Sequence, residues 1–142
     1  MRAMGGNMKQ RPRIRETKQR RVVYNTIKNT YSHPTADWIF EQVRHTLPKV
    51  SLGTVYRNLG VLKEEGLVHE ILGNDRRAHF DADISPHAHF ICESCDQIID
   101  VRGVKNIAWK TLKDLVGCEV SQQQVVFTGR CAGCLQQEPK KA

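Results

Sequence analysis

The sequence has little that points to a membrane or to secretion. No part of its 142 residues approaches the run of about 20 apolar residues that a membrane-spanning helix needs. The first residues are basic and contain Gly and Pro, so they lack the apolar core of a secretory signal. We therefore expect a cytoplasmic protein without a membrane partner. We also expect a flexible basic arm at residues 1–15 and a flexible polar tail at 136–142.

Net charge is missing from the C-terminal part of the chain. Residues 83–142 hold 7 Lys and Arg against 7 Asp and Glu, whereas residues 1–82 hold 15 against 8. The whole excess of +7 therefore lies in the first part. This asymmetry favours a polyanion-binding front half joined to a neutral back half, although a solvated basic tail would give the same charge.

Apolar spacing in the front half predicts three helices followed by a hairpin. The first helix begins near Thr17, and the second carries an amphipathic stripe that stops before Pro48. Ser51 is placed to cap the third helix and Gly66 to end it. A "GND" turn between two β-rich runs then predicts two strands. The core residues expected on the helices are Val23, Ile27, Ala36, Ile39, Phe40, Val43, Val55, Leu59 and Leu62. Together these elements predict a winged helix-turn-helix domain over residues 16–82.

The back half has a different pattern, which predicts a small α/β domain at 87–135 after a hinge at 83–86. Two short strands are expected around the first cysteine pair, and an alternating strand leads into the second. Residues 104–117 predict an amphipathic helix with Ile107, Leu112 and Leu115 on its apolar face. The fold class is therefore predicted to be α+β.

Cysteine occurs only in this back half, as two CxxC pairs and one further residue. The pairs are Cys92 with Cys95 and Cys131 with Cys134, and Cys118 stands apart from them. Without a secretion signal, reduced thiols that bind a metal are favoured over disulfides. Four thiolates complete a closed tetrahedral zinc site, which has a structural role because no position is left open. Two disulfides or a CxxC redox motif are the alternatives.

Histidines and carboxylates predict a second metal site. His87 and His89 are two residues apart on a presumed strand, so their rings face the same side. Asp81 and Asp83 precede them, Asp100 lies on the next strand, and His33 precedes the second helix. Nitrogen and oxygen donors together suit Mn²⁺ or Fe²⁺. The alternative is a set of ordinary structural or surface histidines, and His45, His69 and His79 are interpreted in that way.

The third helix is the predicted DNA-reading element. With Val55, Leu59 and Leu62 in the core, polar side chains would face solvent near the helix start, which is the part that enters the major groove in helix-turn-helix proteins. Arginines in the wing and the N-terminal segment would contact phosphates. An ordinary amphipathic helix is the alternative. The candidate DNA-binding residues are Arg15, Ser51, Thr54, Tyr56, Arg57, Asn58, Arg76 and Arg77.

These motifs carry a family resemblance. "TVYRNLGVLKEEGLV", "HFDADISPHAHFICESCDQIIDV" and "CAGC" together resemble the ferric uptake regulator (Fur) superfamily from about residue 16 to 135. The resemblance implies a homodimer whose C-terminal α/β domains pair. It also implies a zinc ion held by the four paired cysteines and a regulatory metal near the hinge.

Within the superfamily, the chain is most similar to the peroxide-responsive repressors (PerR). That branch uses three His and two Asp, which match His33, Asp81, His87, His89 and Asp100, whereas iron-sensing members typically carry Glu at the acidic positions. The resemblance implies a repressor whose bound Fe²⁺ reacts with peroxide. His33 and His87 would then be oxidised and operator DNA released, with no other small-molecule substrate. An iron- or manganese-responsive uptake regulator is the alternative function, and a non-haem iron enzyme is a third, disfavoured hypothesis.

Overall fold

Three helices form the front half of the computed structural model, which describes residues 16–30 and 32–137. The helices are α1 (Lys18–Lys28), α2 (Ala36–Thr46) and α3 (Leu52–Glu64). Thr17, Thr35 and Ser51 cap them, and each side-chain oxygen accepts a backbone N–H from three residues further on. The predicted starts of α1 and α3 are therefore confirmed. Gly66 follows the cap residue Glu65 with φ of 72°, a conformation that glycine adopts without strain.

A two-stranded wing follows the helices, as predicted. Strands β1 (His69–Leu72) and β2 (Ala78–Asp81) pair antiparallel, with His69 opposite Asp81. One buried cluster joins this hairpin to the three helices. Its members are Val23, Ile27, Ala36, Ile39, Val43, Val55, Leu59, Leu62, Val68 and Phe80, and Phe40 packs partly buried against them. The expected core of the front half is therefore confirmed.

The back half is built on a three-stranded sheet. Its strands are β3 (Ala88–Cys92), β4 (Ile98–Val101) and β5 (Val126–Gly129), in the order β4-β3-β5. β4 runs antiparallel to β3, and β5 runs parallel to it. The pairing sets His89 directly opposite Asp100. A short helix, α4 (Ala132–Gln136), follows β5. Helices and sheets in these positions agree with the predicted α+β class.

The prediction of an amphipathic helix at 104–117 is wrong. The segment contains only two 3-10 turns, Trp109–Thr111 and Lys113–Leu115. Several of its apolar side chains are exposed, with Ile107 at 56%, Leu112 at 42% and Val116 at 81%, whereas Leu115 is partly buried. Most helices in proteins are stabilised by packing of their apolar face, and this segment has no such surface in the single chain. The strand expected before the second cysteine pair is likewise limited to Val126–Gly129.

The two halves contact each other beyond the chain connection. Ile71 of the wing is buried against Ile91 and Ile98 of the C-terminal sheet. The Asn74 amide, in the wing turn, donates to Oδ1 of Asp96 at 2.9 Å. These contacts hold the wing beside the sheet and bring the loop before α2 close to β4. Among the described residues, no helix has the length and apolar character that crossing a membrane requires.

Candidate metal centres

Five side chains from both halves converge at the junction between the wing and the C-terminal sheet. His33 comes from the loop before α2 and Asp81 from the end of β2. His87 directly precedes β3, His89 lies near the start of that strand, and Asp100 lies in β4. These are the five residues that the sequence resemblance implies as ligands. His33 is 6% exposed and His89 is 6% exposed, so the cluster lies largely out of solvent.

The donor atoms of this cluster are spaced as metal ligands are. Oδ1 of Asp100 lies 2.7 Å from His33 Nε2, 3.2 Å from His87 Nε2 and 3.3 Å from His89 Nε2. Oδ2 of Asp81 lies 3.5, 3.0 and 3.2 Å from the same three atoms, and the two Nε2 atoms of His87 and His89 are 3.0 Å apart. Bonds of about 2.1 Å at right angles place neighbouring donors about 3 Å apart. Three nitrogens and two oxygens therefore fit one first-row divalent ion.

Surrounding groups orient these donors. The Nδ1 atom of His87 donates to the Ser85 carbonyl at 2.7 Å, which leaves the Nε2 lone pair directed into the cluster. The backbone N–H of Asp83 donates to Asp81 Oδ1 at 2.8 Å. His33 has φ of 51°, which is uncommon for a residue with a side chain, and its carbonyl accepts from His79 Nδ1 at 2.7 Å. His79 thus holds the loop that brings His33 to the cluster.

The charges of the cluster depend on one another. Burial opposes ionisation of Asp81, but hydrogen bonds from His33 and His89 outweigh it and hold the pKa of this carboxyl well below its usual range. Burial likewise opposes protonation of His33, but hydrogen bonds to Asp81 and Asp100 outweigh it and raise the pKa of His33. The ionised carboxylate of Asp81 therefore lies among three imidazole nitrogens and attracts a cation.

The four paired cysteines form a second cluster at the other end of β3. Sγ of Cys92 lies 3.7 Å from Sγ of Cys134, and Sγ of Cys95 lies 3.8 Å from Sγ of Cys131. All four sulfur atoms lie within 4.8 Å of one another. A tetrahedral zinc ion with bonds of about 2.3 Å sets its sulfur ligands about 3.8 Å apart. The spacing therefore fits a closed zinc site, while Cys118 is exposed and outside it.

Hydrogen bonds shift the pKa values of two of these thiols in opposite directions. The backbone N–H of Cys131 donates to Sγ of Cys92 at 3.3 Å and lowers the pKa of the Cys92 thiol to about 6. The hydrogen bond with Cys131 raises the pKa of the Cys134 thiol to about 12. Four thiolates at this distance repel one another, so a bound cation is needed to hold all of them ionised.

The comparisons with known proteins decide the family. Residues 12–126 match the model of the ferric uptake regulator family. The chain belongs to this family. It is 35% identical over 127 residues to the peroxide operon regulator of Bacillus subtilis, covering 88% of this chain and 87% of that protein.

Solved structures agree with the family assignment. The Campylobacter jejuni peroxide stress regulator is similar at a TM-score of 0.64 and 28% identity, covering 82% of this chain and 88% of that one. A zinc uptake regulator complexed with zinc and DNA is similar at a TM-score of 0.64 and 26% identity, covering 86% of this chain and 84% of that one. Members of the family regulate transcription and are not enzymes, as predicted for this chain.

Helix α3 carries four of the predicted DNA-binding residues, and the structure contradicts the expected position of one of them. Asn58 was expected to face solvent, but it is 4% exposed and its amide donates to the Thr54 carbonyl at 3.0 Å. It lies on the apolar side between Val55 and Leu59, so it is part of the domain core. Tyr56 and Arg57 are exposed, as expected.

The other DNA-binding candidates differ in whether their side chains are exposed or already in contact with a neighbour. Ser51 and Thr54 are engaged at the start of α3, where their side-chain oxygens lie 2.9 Å apart. Arg76 and Arg77 are exposed in the wing turn. Arg15 lies outside the described residues.

Three residues near the His/Asp cluster are absent from the set that the sequence predicts. They are His79, which is expected to be an ordinary histidine, Ser85 and Arg102. Arg102 contacts Asp83, which the sequence placed near the site but which turns toward this guanidinium. Arg102 follows Asp100 by two residues and comes directly after β4, and its side chain lies on the same side as that of Asp100. That spacing is the pattern by which it could have been found.

Proposed function

We propose that this chain is a metal-dependent transcriptional repressor that senses hydrogen peroxide by oxidation of His33 or His87. The observation that carries the proposal is the short distance from each of three His to both Asp81 and Asp100 at the junction of the two halves. Five protein donors leave one position of an octahedral ion for a small molecule. The similarity to regulators named for peroxide supports this function over metal uptake.

The cluster would hold Fe²⁺ or Mn²⁺ through His33, His87, His89, Asp81 and Asp100. Bound there, Fe²⁺ would supply the electron that starts cleavage of the O–O bond of peroxide and would regain one electron as the ring is oxidised, whereas Mn²⁺ fits the same donors without that reaction. In the net reaction, Cε1 of one imidazole loses a C–H bond and gains a C–O bond. One peroxide oxygen stays on the ring and the other leaves as water, so the ring loses two electrons and peroxide gains two.

Oxidation of a ligand ring would weaken the metal-mediated link between the two halves, because His33 and most of its partners come from different halves. His33 belongs to the winged half, and three of its four partners, His87, His89 and Asp100, belong to the C-terminal half. A 2-oxo-histidine ring is a poorer donor, so its formation weakens the link between the halves. The winged domain would then leave the orientation that binds DNA, which is a two-state change biased by ligand binding.

DNA binding by α3 and the wing is part of the proposal. The exposed side chains of Tyr56 and Arg57 lie on one surface of α3, and Arg76 and Arg77 extend from the wing. The excess of positive charge in residues 1–82 supports contact with phosphates. The zinc uptake regulator solved with DNA supports the same mode for this chain. We expect this binding to take place in the cytoplasm.

A homodimer and a structural zinc ion complete the proposal. Apolar side chains of the C-terminal half are exposed in the single chain, including Ile107, Val116 and Phe127. A second copy of the chain would cover them. The zinc ion would be held by Cys92, Cys95, Cys131 and Cys134, where it ties the end of β3 to the end of β5.

The experiment that tests this function compares the two metals. The protein is loaded with Fe²⁺ or Mn²⁺, treated with low peroxide, and its operator affinity is measured. We expect only the iron-loaded protein to release DNA. Equal DNA binding by both forms after peroxide would instead support an iron- or manganese-responsive uptake regulator. Repeated turnover of a substrate would contradict a sensor altogether.

A further inference from the structure

Arg102 connects the hinge to a carboxylate of the His/Asp cluster. One guanidinium nitrogen, Nη2, donates to Asp83 Oδ2 at 2.6 Å and to Asp100 Oδ2 at 3.4 Å. Another, Nη1, donates to Ser85 Oγ at 3.1 Å. Asp83 is itself held in the turn, because its Oδ1 accepts the backbone N–H of Ser85 at 3.0 Å. Arg102 therefore contacts the hinge turn and the back of Asp100 at once.

Each of the two carboxylates of the cluster directs one oxygen at the histidines and uses the other as a hydrogen-bond acceptor outside the cluster. Asp100 points Oδ1 at the three histidines and Oδ2 at Arg102. Asp81 points Oδ2 at the histidines, and its Oδ1 accepts the Asp83 backbone N–H. A carboxylate can give a metal one oxygen or two. Here each has its second oxygen occupied, so the cluster offers five donor atoms and not six or seven.

The two second oxygens differ in how firmly they are held. Asp81 Oδ1 is held by a backbone group, which no substitution at another side chain removes. Asp100 Oδ2 is held by a side chain that is 55% exposed. Asp100 is therefore the carboxylate whose number of donor oxygens one other residue can control.

We propose that Arg102 is a positioning residue that restricts Asp100 to one donor oxygen and so keeps a place in the cluster open to peroxide. The inference rests on the proposed function. Without Arg102, Oδ2 of Asp100 can turn into the cluster and supply a sixth donor atom. The protein would still bind metal and DNA, but its response to peroxide would be much slower.

The surroundings of Arg102 fit this role. A cavity of about 240 Å³ is lined by Arg102 together with Asp81, Asp83, Asp100, His33 and Lys28. A molecule of the size of peroxide can therefore approach the cluster from the side on which Arg102 lies. An oxygen of Asp100 that turned inward would fill the position such a molecule needs.

The test uses Co²⁺ as the probe in zinc-containing protein, with azide as a small ligand for the open position. We expect the visible spectrum of the wild-type Co²⁺ protein to change when azide is added, and that of Arg102→Gln to change several-fold less. Co²⁺ affinity of Arg102→Gln should be equal or higher, because a donor atom is gained. A merely structural role for Arg102 would instead lower the affinity. An Arg102→Gln protein with a wild-type azide response, or with weakened Co²⁺ binding, would overturn the proposal.

A lysine variant separates the geometry of Arg102 from its charge, and a variant of a distant arginine serves as the control. Arg102→Lys keeps the positive charge but cannot span three acceptors as a guanidinium does, so we expect it to restore the azide response only in part. A complete wild-type response in Arg102→Lys would show that charge alone matters and would contradict positioning. Arg44→Gln removes an exposed arginine that pairs with Glu41 at 3.3 Å on α2, and it should leave the spectrum unchanged.

The iron-loaded protein links this inference to peroxide. We expect the gain of oxygen on peptides that contain His33 or His87 to be at least about tenfold slower in Arg102→Gln than in the wild type. If the wild-type protein gains no oxygen, the proposed function fails. The Co²⁺ and azide result then still decides whether Arg102 controls the donor number of Asp100.

Discussion

The Nε2 atom of His33 lies 2.7 Å from Oδ1 of Asp100, although 67 positions separate the two residues in the chain. His33 lies in the loop before α2 of the winged half, and Asp100 lies in β4 of the C-terminal half. Any ion bound between these atoms therefore fixes one half relative to the other. We propose that this relationship connects metal binding to the orientation of α3.

Substitution of His33 should separate the two halves. We expect His33→Ala to weaken Mn²⁺ binding by at least about tenfold, because a donor atom is removed. The metal-dependent decrease in radius of gyration, measured by small-angle X-ray scattering, should disappear with it. His45→Ala is the matched control, since His45 is exposed on α2. Compaction of His33→Ala by Mn²⁺ to the wild-type radius would contradict the role of His33 as the link.

The zinc site should control the stability of the C-terminal half. We expect Cys131→Ser to lose most of its zinc and to unfold at a markedly lower temperature, because metal-binding energy in such sites is folding energy. Cys118→Ser should keep its zinc and change the free energy of unfolding by less than about 0.5 kcal/mol, since Cys118 is exposed. Elemental analysis and thermal unfolding measure both. Full zinc content in Cys131→Ser would remove this residue from the ligand set.

Substitutions at two neighbouring positions of α3 should affect DNA binding and stability separately. We expect Arg57→Ala to lower operator affinity by roughly tenfold or more with an unchanged melting temperature. Asn58→Ala should lower the free energy of unfolding by about 1 kcal/mol, because the buried hydrogen bond to the Thr54 carbonyl is lost. Binding titrations and thermal unfolding of both variants check this. If Asn58→Ala loses DNA binding at unchanged stability, Asn58 reads DNA after all.

Elements set by local chemistry could be predicted from the sequence. Thr17 and Ser51 begin helices because their hydroxyl oxygens accept nearby backbone N–H groups, which needs no distant contact. The expectation that Asn58 faces solvent follows from its polarity and disregards its position in the helix. Asn58 follows Val55 by three residues and Leu62 follows it by four, so the helical period already put it on the buried side.

Features that depend on other parts of the fold could not be predicted in this way. The apolar residues of 104–117 suggested a helix, but whether they pack depends on a surface that the single chain does not provide. The five residues of the His/Asp cluster could be named from their motif. The direction of each carboxylate oxygen could not, because it depends on where the Arg102 guanidinium and the Asp83 backbone lie.

The length of the acidic side chain in β4 should affect sensing more than binding. Asp100→Glu keeps a carboxylate but moves its oxygens by one methylene relative to Arg102 and the histidines. We expect this variant to retain Mn²⁺-dependent operator binding and to show a much weaker response to peroxide. Operator binding before and after peroxide, with either metal, measures this. An unchanged peroxide response would remove the preference for Asp over Glu as an argument for peroxide sensing.

The mass of the peptides that contain His33 and His87 tests the central claim most directly. The protein is loaded with Fe²⁺ or with Mn²⁺, treated with low peroxide, digested and analysed by mass spectrometry. We predict that one of these two peptides gains a single oxygen atom in the iron-loaded protein and that neither gains it in the manganese-loaded protein. Unmodified His33 and His87 peptides in iron-loaded protein that has released its operator would contradict the account.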